Sequence, residues 1–316
     1  MENMNQKCPL CDKKLRSKRV FYKDKVFASG DIFNFEAKRK LGHKDYARGD
    51  CTMDLHQCLA CGFIFNKSFN LAKMKEVYTS KEYYQQKNFT SFLSKNILKI
   101  KDKIKSLASK DDVFLEIAPG HCDLLRALAE EFKFVYSVDP SPTALNSLKL
   151  QNTLHIQDFF DAKSIKSYLK HKIDFVIFRH LLEHIENPRN FLKNVVDFLD
   201  YGGKIYIEVP NVLEIFEHKK FYEFFHDHFG FFEENVLINT LEDLGCEFID
   251  RYFSYEEQHM GLFFEKKKEV TKRDLPLIFF NDETYFDASI KEMNAHLLNY
   301  ENIAIYGGGG FMLIQY

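Results

Sequence analysis

Two pairs of cysteines carry the first recognisable chemistry: Cys8-Pro-Leu-Cys11 and Cys58-Leu-Ala-Cys61 each place two thiols on one tight turn. Four thiolates satisfy a tetrahedral structural zinc ion, and Gly62, after the second pair, lets backbone N–H groups face the sulfurs. The 46 residues between the pairs exceed the usual ribbon spacing, so the pattern speaks for metal more than for a standard ribbon. A closed four-cysteine site has no open coordination position, so zinc there organises a module and performs no reaction. A redox dithiol is the competing use of the same spacing. Cys51, Cys122 and Cys246 read as small core residues.

The second group is Leu115-Glu116-Ile117-Ala118-Pro119-Gly120-His121-Cys122-Asp123, between a strand pattern and a helix pattern. A loop under a helix N-terminus can approach a nucleoside closely, although glycine would be expected where Ala118 and Cys122 stand. The next strand pattern ends in Asp139-Pro140-Ser141, an acid placed to accept from both ribose hydroxyls, with a helix-cap role as the alternative. The third ends in Asp158-Phe159, where the acid can accept from an adenine amino group while an aromatic packs on the ring. Acids after the second and third strands fit S-adenosylmethionine. NAD fits less well, because the loop offers Pro119 and no glycine cluster to a pyrophosphate.

The third group is Arg179-His180-Leu-Leu-Glu183-His184, at the C-terminal end of an apolar strand pattern where open α/β sheets bind ligands. His180, Glu183 and His184 share a helical face if the strand passes straight into a turn of helix, and H-x-x-E-H is also an inverted zincin pattern. The zincin site needs a long helix, whereas Asn187-Pro188 follows within a turn. A structural role for Glu183 and His184 in this loop stays open.

The elements that must hold these groups follow from periodicity. Residues 1–70 show little helical pattern and read as a small metal-stapled module, and residues 71–110 as a helical connection with apolar positions three and four apart (Ile97, Ile100, Ile104). From Asp112, strands at 113–117, 134–138, 153–156, 175–178 and 204–209 alternate with helices at 124–131, 142–148, 162–169, 188–199 and 233–244. That alternation is the signature of βαβ units on a parallel sheet. Runs at 247–253 and 261–265 read as antiparallel closing strands, giving an expected domain over 111–268. Residues 269–316 read as an incomplete αβ domain, with a helix at 288–298 and a strand at 303–306 running into four glycines. The chain has 316 residues, 45% apolar and 28% charged, and a formal charge of −2, which leaves no field that would recruit nucleic acid or an anionic membrane. No apolar run reaches the ~18 residues of a membrane span and the first residues lack a signal-peptide core, so a cytoplasmic location is expected.

With these motifs in this order the sequence resembles the zinc-containing, S-adenosylmethionine-dependent sugar C-methyltransferases of deoxysugar pathways. Further matches are Glu208-Val209-Pro210-Asn211, Phe224-Phe225-His226-Asp227-His228-Phe229-Gly230-Phe231-Phe232 against the family's I-Y-H-E-H-x-x-Y-F, and Gln258-His259-Met260-Gly261 against its H-G-G. The resemblance covers nearly the whole chain. It implies an α/β fold: a class I Rossmann-like methyltransferase sheet with an N-terminal zinc-binding module and a partial C-terminal αβ domain. It implies cofactor contacts from Glu116, Ala118, Gly120, Asp139, Pro140, Asp158, Phe159 and Arg179, and a structural zinc on Cys8, Cys11, Cys58 and Cys61. His228 becomes the base that deprotonates the sugar carbon, His180 its partner or an enolate-stabilising donor, with His226 and Asp227 beside them. The implied acceptor is a nucleotide-linked sugar or a similar small molecule.

Two departures bear on that reading. Phe225 replaces the family's tyrosine and Asp227 shortens its glutamate by a methylene, so methylation at oxygen or nitrogen is a second possibility, needing only a general base. The family also continues for roughly a further half domain, about the size of a ~100-residue unit. Gly307–Gly310 therefore reads as a slipped guanine run, and the strand before it as one without partner strands. The competing function is a zinc-bearing, methyltransferase-like interaction protein without turnover.

Overall fold

A computed structural model describes residues 7–26, 51–72, 91–141, 150–225, 227–280, 283–297, 303–307 and 310–314. The chain opens with strands β1 (Ser17–Val26), β2 (Cys51–Cys58) and β3 (Ile64–Asn66), followed by helix α1 (Ser91–Leu107). Then come β4 (Val113–Ile117), α2 (Asp123–Ala129), β5 (Phe134–Val138), β6 (Thr153–Ile156), β7 (Phe175–Arg179), α3 (Pro188–Phe198) and β8 (Lys204–Pro210). After these lie α4 (Val212–Glu217), β9 (Gly230–Phe231), α5 (Glu234–Asp243), β10 (Cys246–Ser254), β11 (His259–Lys266), α6 (Asp287–Leu297), β12 (Ile303–Gly307) and β13 (Gly310–Ile314).

The central sheet has the order β10-β11-β8-β7-β4-β5-β6. Its five strands β8, β7, β4, β5 and β6 are parallel, while β11 runs antiparallel to both β8 and β10. The parallel strands are short apolar runs because helices cover both faces, and every residue of β4 is buried. On one face α1 lays Ile97, Ile100 and Ile104 against Leu124, Leu125 and Leu128 of α2 and the rings of Phe114 and Phe175. On the other, Leu192, Val195 and Val196 of α3 and Leu237 and Leu241 of α5 close over Leu115, Val176 and Ile207. The chain leaves β4 for β5 on one side and returns to β7 on the other, so a crevice opens at the C-terminal ends of these strands.

A smaller antiparallel sheet has the order β1-β2-β3-β9. Its last strand comes from residues 230–231, so the Phe-rich segment beyond β8 completes the sheet begun near the N-terminus. Periodicity gave no hint of β9, which is two residues long, or of α4.

The five parallel strands, α2, α3, α5, α6 and the closing pair β10 and β11 lie where periodicity puts them, within one or two residues at most ends. The helix expected over 162–169 is instead a single 3₁₀ turn, Ile165–Tyr168. Asp161 accepts from the N–H groups of Lys163 and Ser164, and the hydroxyls of Ser164 and Ser167 return to carbonyls three residues earlier, so local polar bonds compete with helix continuation. The strand expected at 303–306 to lack partners pairs with β13 in a hairpin, Ile303 opposite Ile314 and Gly307 opposite Gly310. The helix expected over 142–148 lies outside the described residues, as do residues 73–90 of the expected connection.

Candidate active site

The cofactor side of the crevice begins at Glu116, in the middle of β4's C-terminal half and 3% exposed. Its Oε2 has no hydrogen-bond partner among the described residues. Burial pushes this carboxyl up to about 8, against the opposing pull of the Arg179 guanidinium. A buried carboxylate with an orphaned oxygen at a strand end is what a cationic ligand would satisfy, and S-adenosylmethionine carries both an ammonium and a sulfonium. The loop after β4 turns through left-handed backbone at Ala118 (φ 54), Gly120 (φ 55) and Cys122 (φ 62). Two of these are the positions where the sequence lacks an expected glycine, so the tight path is kept with alanine and cysteine at some strain. Cys122 is fully buried, and burial pushes its thiol up to about 12, consistent with a packing role.

Asp139, 7% exposed at the end of β5, accepts from the Ser141 N–H at 2.7 Å through Oδ1. That local bond occupies one carboxylate oxygen. Burial raises the Asp139 carboxyl, with the Ser141 bond opposing. Pro140 follows, its carbonyl accepting from Gln157 at 3.4 Å. Asp158 takes the N–H of Phe159 at 2.7 Å, and Phe159 is 55% exposed. Arg179, also expected at the cofactor, donates from Nε and Nη2 to the two oxygens of Glu208 at 3.0 and 3.2 Å.

Glu208, of the Glu208-Val209-Pro210-Asn211 motif, is the centre of a cluster with Arg179, Tyr206, His180 and His259. It lies near the end of β8, directly opposite Gly261 on β11. Besides Arg179 it accepts from the Tyr206 hydroxyl at 2.6 Å, and its Oε1 stands 3.3 Å from His180 Nε2 and 3.9 Å from His259 Nδ1. Burial alone would raise the Glu208 carboxyl, but Arg179 and His180 hold it well below the usual carboxylate range. His259, pushed down to about 3 chiefly by burial, is a neutral imidazole. His180 has left-handed backbone (φ 50), uncommon for a non-glycine, which turns it back over the sheet end toward Glu208. Gly261 makes room for this arrangement: a Cβ there would strike the Tyr206 hydroxyl and approach its ring to 2.8 Å. The signal available in the sequence was a glutamate ending an apolar strand, with His259 and Gly261 in the strand that pairs with it.

His180 of the H-x-x-E-H pattern stands between two carboxylates, its Nε2 toward Glu208 and its Nδ1 3.8 Å from Glu183 Oε1, while Glu183 and His184 occupy a 3₁₀ turn, Leu182–His184, and gather with His228. No long helix carries the three, so the zincin arrangement is absent. His184 donates from Nδ1 to the Asp227 carbonyl at 2.9 Å, the Phe229 N–H donates to the Glu183 carbonyl at 2.7 Å, and His228 is 8% exposed. His226 lies outside the described residues.

The four cysteines Cys8, Cys11, Cys58 and Cys61 converge, with all sulfurs within 4.8 Å of one another. Cys8 and Cys61 sulfurs are 3.7 Å apart, far beyond a disulfide and close to the ~3.8 Å edge of a tetrahedron with ~2.3 Å zinc–sulfur bonds. Both pairs end in left-handed turns, at Asp12 (φ 59) and Gly62 (φ 77), and the Ala60 N–H points at Cys58 Sγ from 3.4 Å. The donor set and spacing fit zinc.

The methyltransferase-domain family model matches residues 84–250, more than half of the chain, which belongs to that family and has its class I, Rossmann-like fold. No curated protein matches the sequence. Among solved structures, the magnesium protoporphyrin IX methyltransferase of Synechocystis PCC 6803 with bound S-adenosylhomocysteine is 11% identical, with TM-score 0.48 over 63% of this chain and 100% of that one. The N-methyltransferase NodS of Bradyrhizobium japonicum WM9 is 13% identical, with TM-score 0.44 over 62% and 97%. An S-adenosylmethionine-dependent methyltransferase of Clostridium acetobutylicum is 13% identical, with TM-score 0.43 over 56% and 93%. Likeness this distant says nothing about the acceptor. Among the described residues no helix is long and apolar enough to cross a membrane.

Proposed function

We propose that this chain transfers a methyl group from S-adenosylmethionine to a nucleotide-linked sugar, with zinc held by Cys8, Cys11, Cys58 and Cys61. The observation that carries the cofactor half is the row of acids on neighbouring strand ends: Glu116 with its orphaned oxygen, Asp139 with one oxygen committed, and Asp158 beside the open ring of Phe159. The acceptor half rests on the resemblance and on His180. The resemblance makes His228 the base; burial favours His180, whose side chain is 37% exposed against the 8% of His228 as a residue. In this reading His180 takes the proton beside a ketone, and Glu208, fixed by Arg179 and Tyr206, holds the imidazolium that results. Such a carbanion needs mainly alignment with the sulfonium methyl.

Calorimetric titration with S-adenosylmethionine and S-adenosylhomocysteine tests the cofactor half: binding is expected, and Asp139→Ala should weaken it by about 1–3 kcal/mol. Absence of binding by the folded, zinc-loaded protein would refute it. Transfer of labelled methyl to nucleotide-linked 4-keto-sugars tests the acceptor half. The strained Ala118 and Cys122 loop supports a second reading, a cofactor-binding protein without turnover, which tight binding with no transfer to any such sugar would favour.

A further inference from the structure

The two carboxylates beside His180 differ in how their charge is balanced. Glu208 has the Arg179 guanidinium across both oxygens and the Tyr206 hydroxyl besides. Glu183 is equally buried, at 1% exposed, yet among the described residues no arginine or lysine pairs with it and its Oε2 is without a hydrogen-bond partner, while its Oε1 is 3.8 Å from His180 Nδ1. An uncompensated buried carboxylate is costly. What surrounds Glu183 is a pair of imidazoles, His184 and His228, whose ring nitrogens and the carboxylate oxygen lie within 4.8 Å of one another.

The orientation of His184 matters most. Its Nδ1 faces a backbone carbonyl, that of Asp227, which can only accept; Nδ1 therefore carries the hydrogen and Nε2 the lone pair. A histidine whose far nitrogen donates to a backbone carbonyl is the usual posture of a metal ligand, fixed in tautomer and ring angle from behind. Asp227 and His228 are held in place in turn, because the next residue's N–H, that of Phe229, bonds the Glu183 carbonyl.

We infer that Glu183, His184 and His228 form a binding site for one divalent first-row cation, separate from the four-cysteine site. Two imidazoles and one carboxylate suit manganese, iron, cobalt or zinc rather than a thiolate-seeking ion. The cation neutralises Glu183 and pins the segment carrying His228 to the turn after β7. His180, the member of this neighbourhood most open to solvent, marks the side from which water or an acceptor oxygen completes the coordination shell. Ligation also removes His228 from the candidates for the base and leaves that role to His180.

The same chemistry makes the site testable with manganese alone, since Mn²⁺ prefers nitrogen and oxygen ligands and leaves a zinc-filled four-cysteine site untouched. Zinc-loaded full-length protein is titrated with Mn²⁺ while the electron paramagnetic resonance signal of the free ion is followed. One ion per chain is expected to bind, with at least tenfold weaker binding in both Glu183→Gln and His184→Ala. His259→Ala, which removes none of the three proposed ligands, is expected to bind Mn²⁺ as the parent does. No binding by the parent protein would overturn the inference, and so would binding lost in His259→Ala but kept in Glu183→Gln. Bound zinc, measured on every variant, confirms that the N-terminal fold survived.

Discussion

Replacing Glu116 by glutamine should stabilise the cofactor-free protein increasingly as pH rises. The carboxyl lies inside the sheet, its Oε2 bonds nothing among the described residues, and burial pushes it up to about 8 from the 4.5 of an exposed glutamate. Arg179 pulls the other way and Asp123 adds to the rise. Because the folded value exceeds the unfolded one, the fold favours the protonated acid. The benefit is fully present below about pH 4.5 and is lost as pH climbs through about 8. That gap, at ~1.36 kcal/mol per pH unit, amounts to an upper figure on the order of 5 kcal/mol. Glutamine keeps the shape and never ionises. Thermal or urea unfolding of parent and Glu116→Gln at half-unit steps from pH 5 to pH 9 supplies the measurement, the difference between the two cancelling every other titration. The variant should gain steadily on the parent and level off above pH 8. A difference that stays flat over this range would refute the reasoning, because it would mean that Glu116 ionises in the fold as easily as in water. Bound S-adenosylmethionine should shrink the difference, by placing positive charge near the carboxylate.

Gly261→Ala should cost about 1–3 kcal/mol and most of the transfer activity, since its methyl group displaces the Tyr206 hydroxyl from Glu208; calorimetry of the variant should still show cofactor binding, and unaltered activity would remove Tyr206 from the positioning of Glu208. Glu208→Gln should depress activity more than cofactor affinity and also destabilise the fold, because it leaves the buried Arg179 charge unpaired; a stable, active variant would end the role assigned to this carboxylate. Stripping zinc with a strong chelator should lower the melting temperature and loosen the Cys8 and Cys58 turns together, read by hydrogen exchange; unchanged exchange at both turns would exclude a shared ion.

The parallel sheet was legible because its strands are buried on both faces and their sequences are correspondingly plain: Val113-Phe-Leu-Glu-Ile117 and Phe134-Val-Tyr-Ser-Val138 leave little choice of state. The four cysteines were legible for a different reason, since two C-x-x-C turns announce themselves by spacing alone, and their sulfurs converge. The placement of the histidines was not. That His180 reaches Glu208 as well as Glu183 goes with its left-handed backbone at φ 50, which no periodicity records. Arg179, a cofactor contact by the resemblance, also pairs with Glu208 in register on the neighbouring strand, a pairing visible only after the sheet is assembled. The 162–169 stretch failed in the opposite way, its helical spacing outweighed by serine and aspartate side chains bonding their own backbone.

The smaller sheet bears on the chemistry through β9. Ile64 and Phe65 of β3 pair with Phe231 and Gly230, the Asn66 N–H donates to the Phe229 carbonyl at 2.8 Å, and the rings of Phe63 and Phe65 pack on Phe229. Gly230 admits this approach, since a Cβ there would meet the Phe63 ring at 2.9 Å. The residue immediately before these contacts is His228. The strand that begins just after the Cys58 and Cys61 turn therefore holds the far side of the segment whose near side touches Glu183 and His184. If the proposed zinc occupies the cysteine site, it would steady β2 and β3, and through the β3–β9 pairing the segment that carries His228.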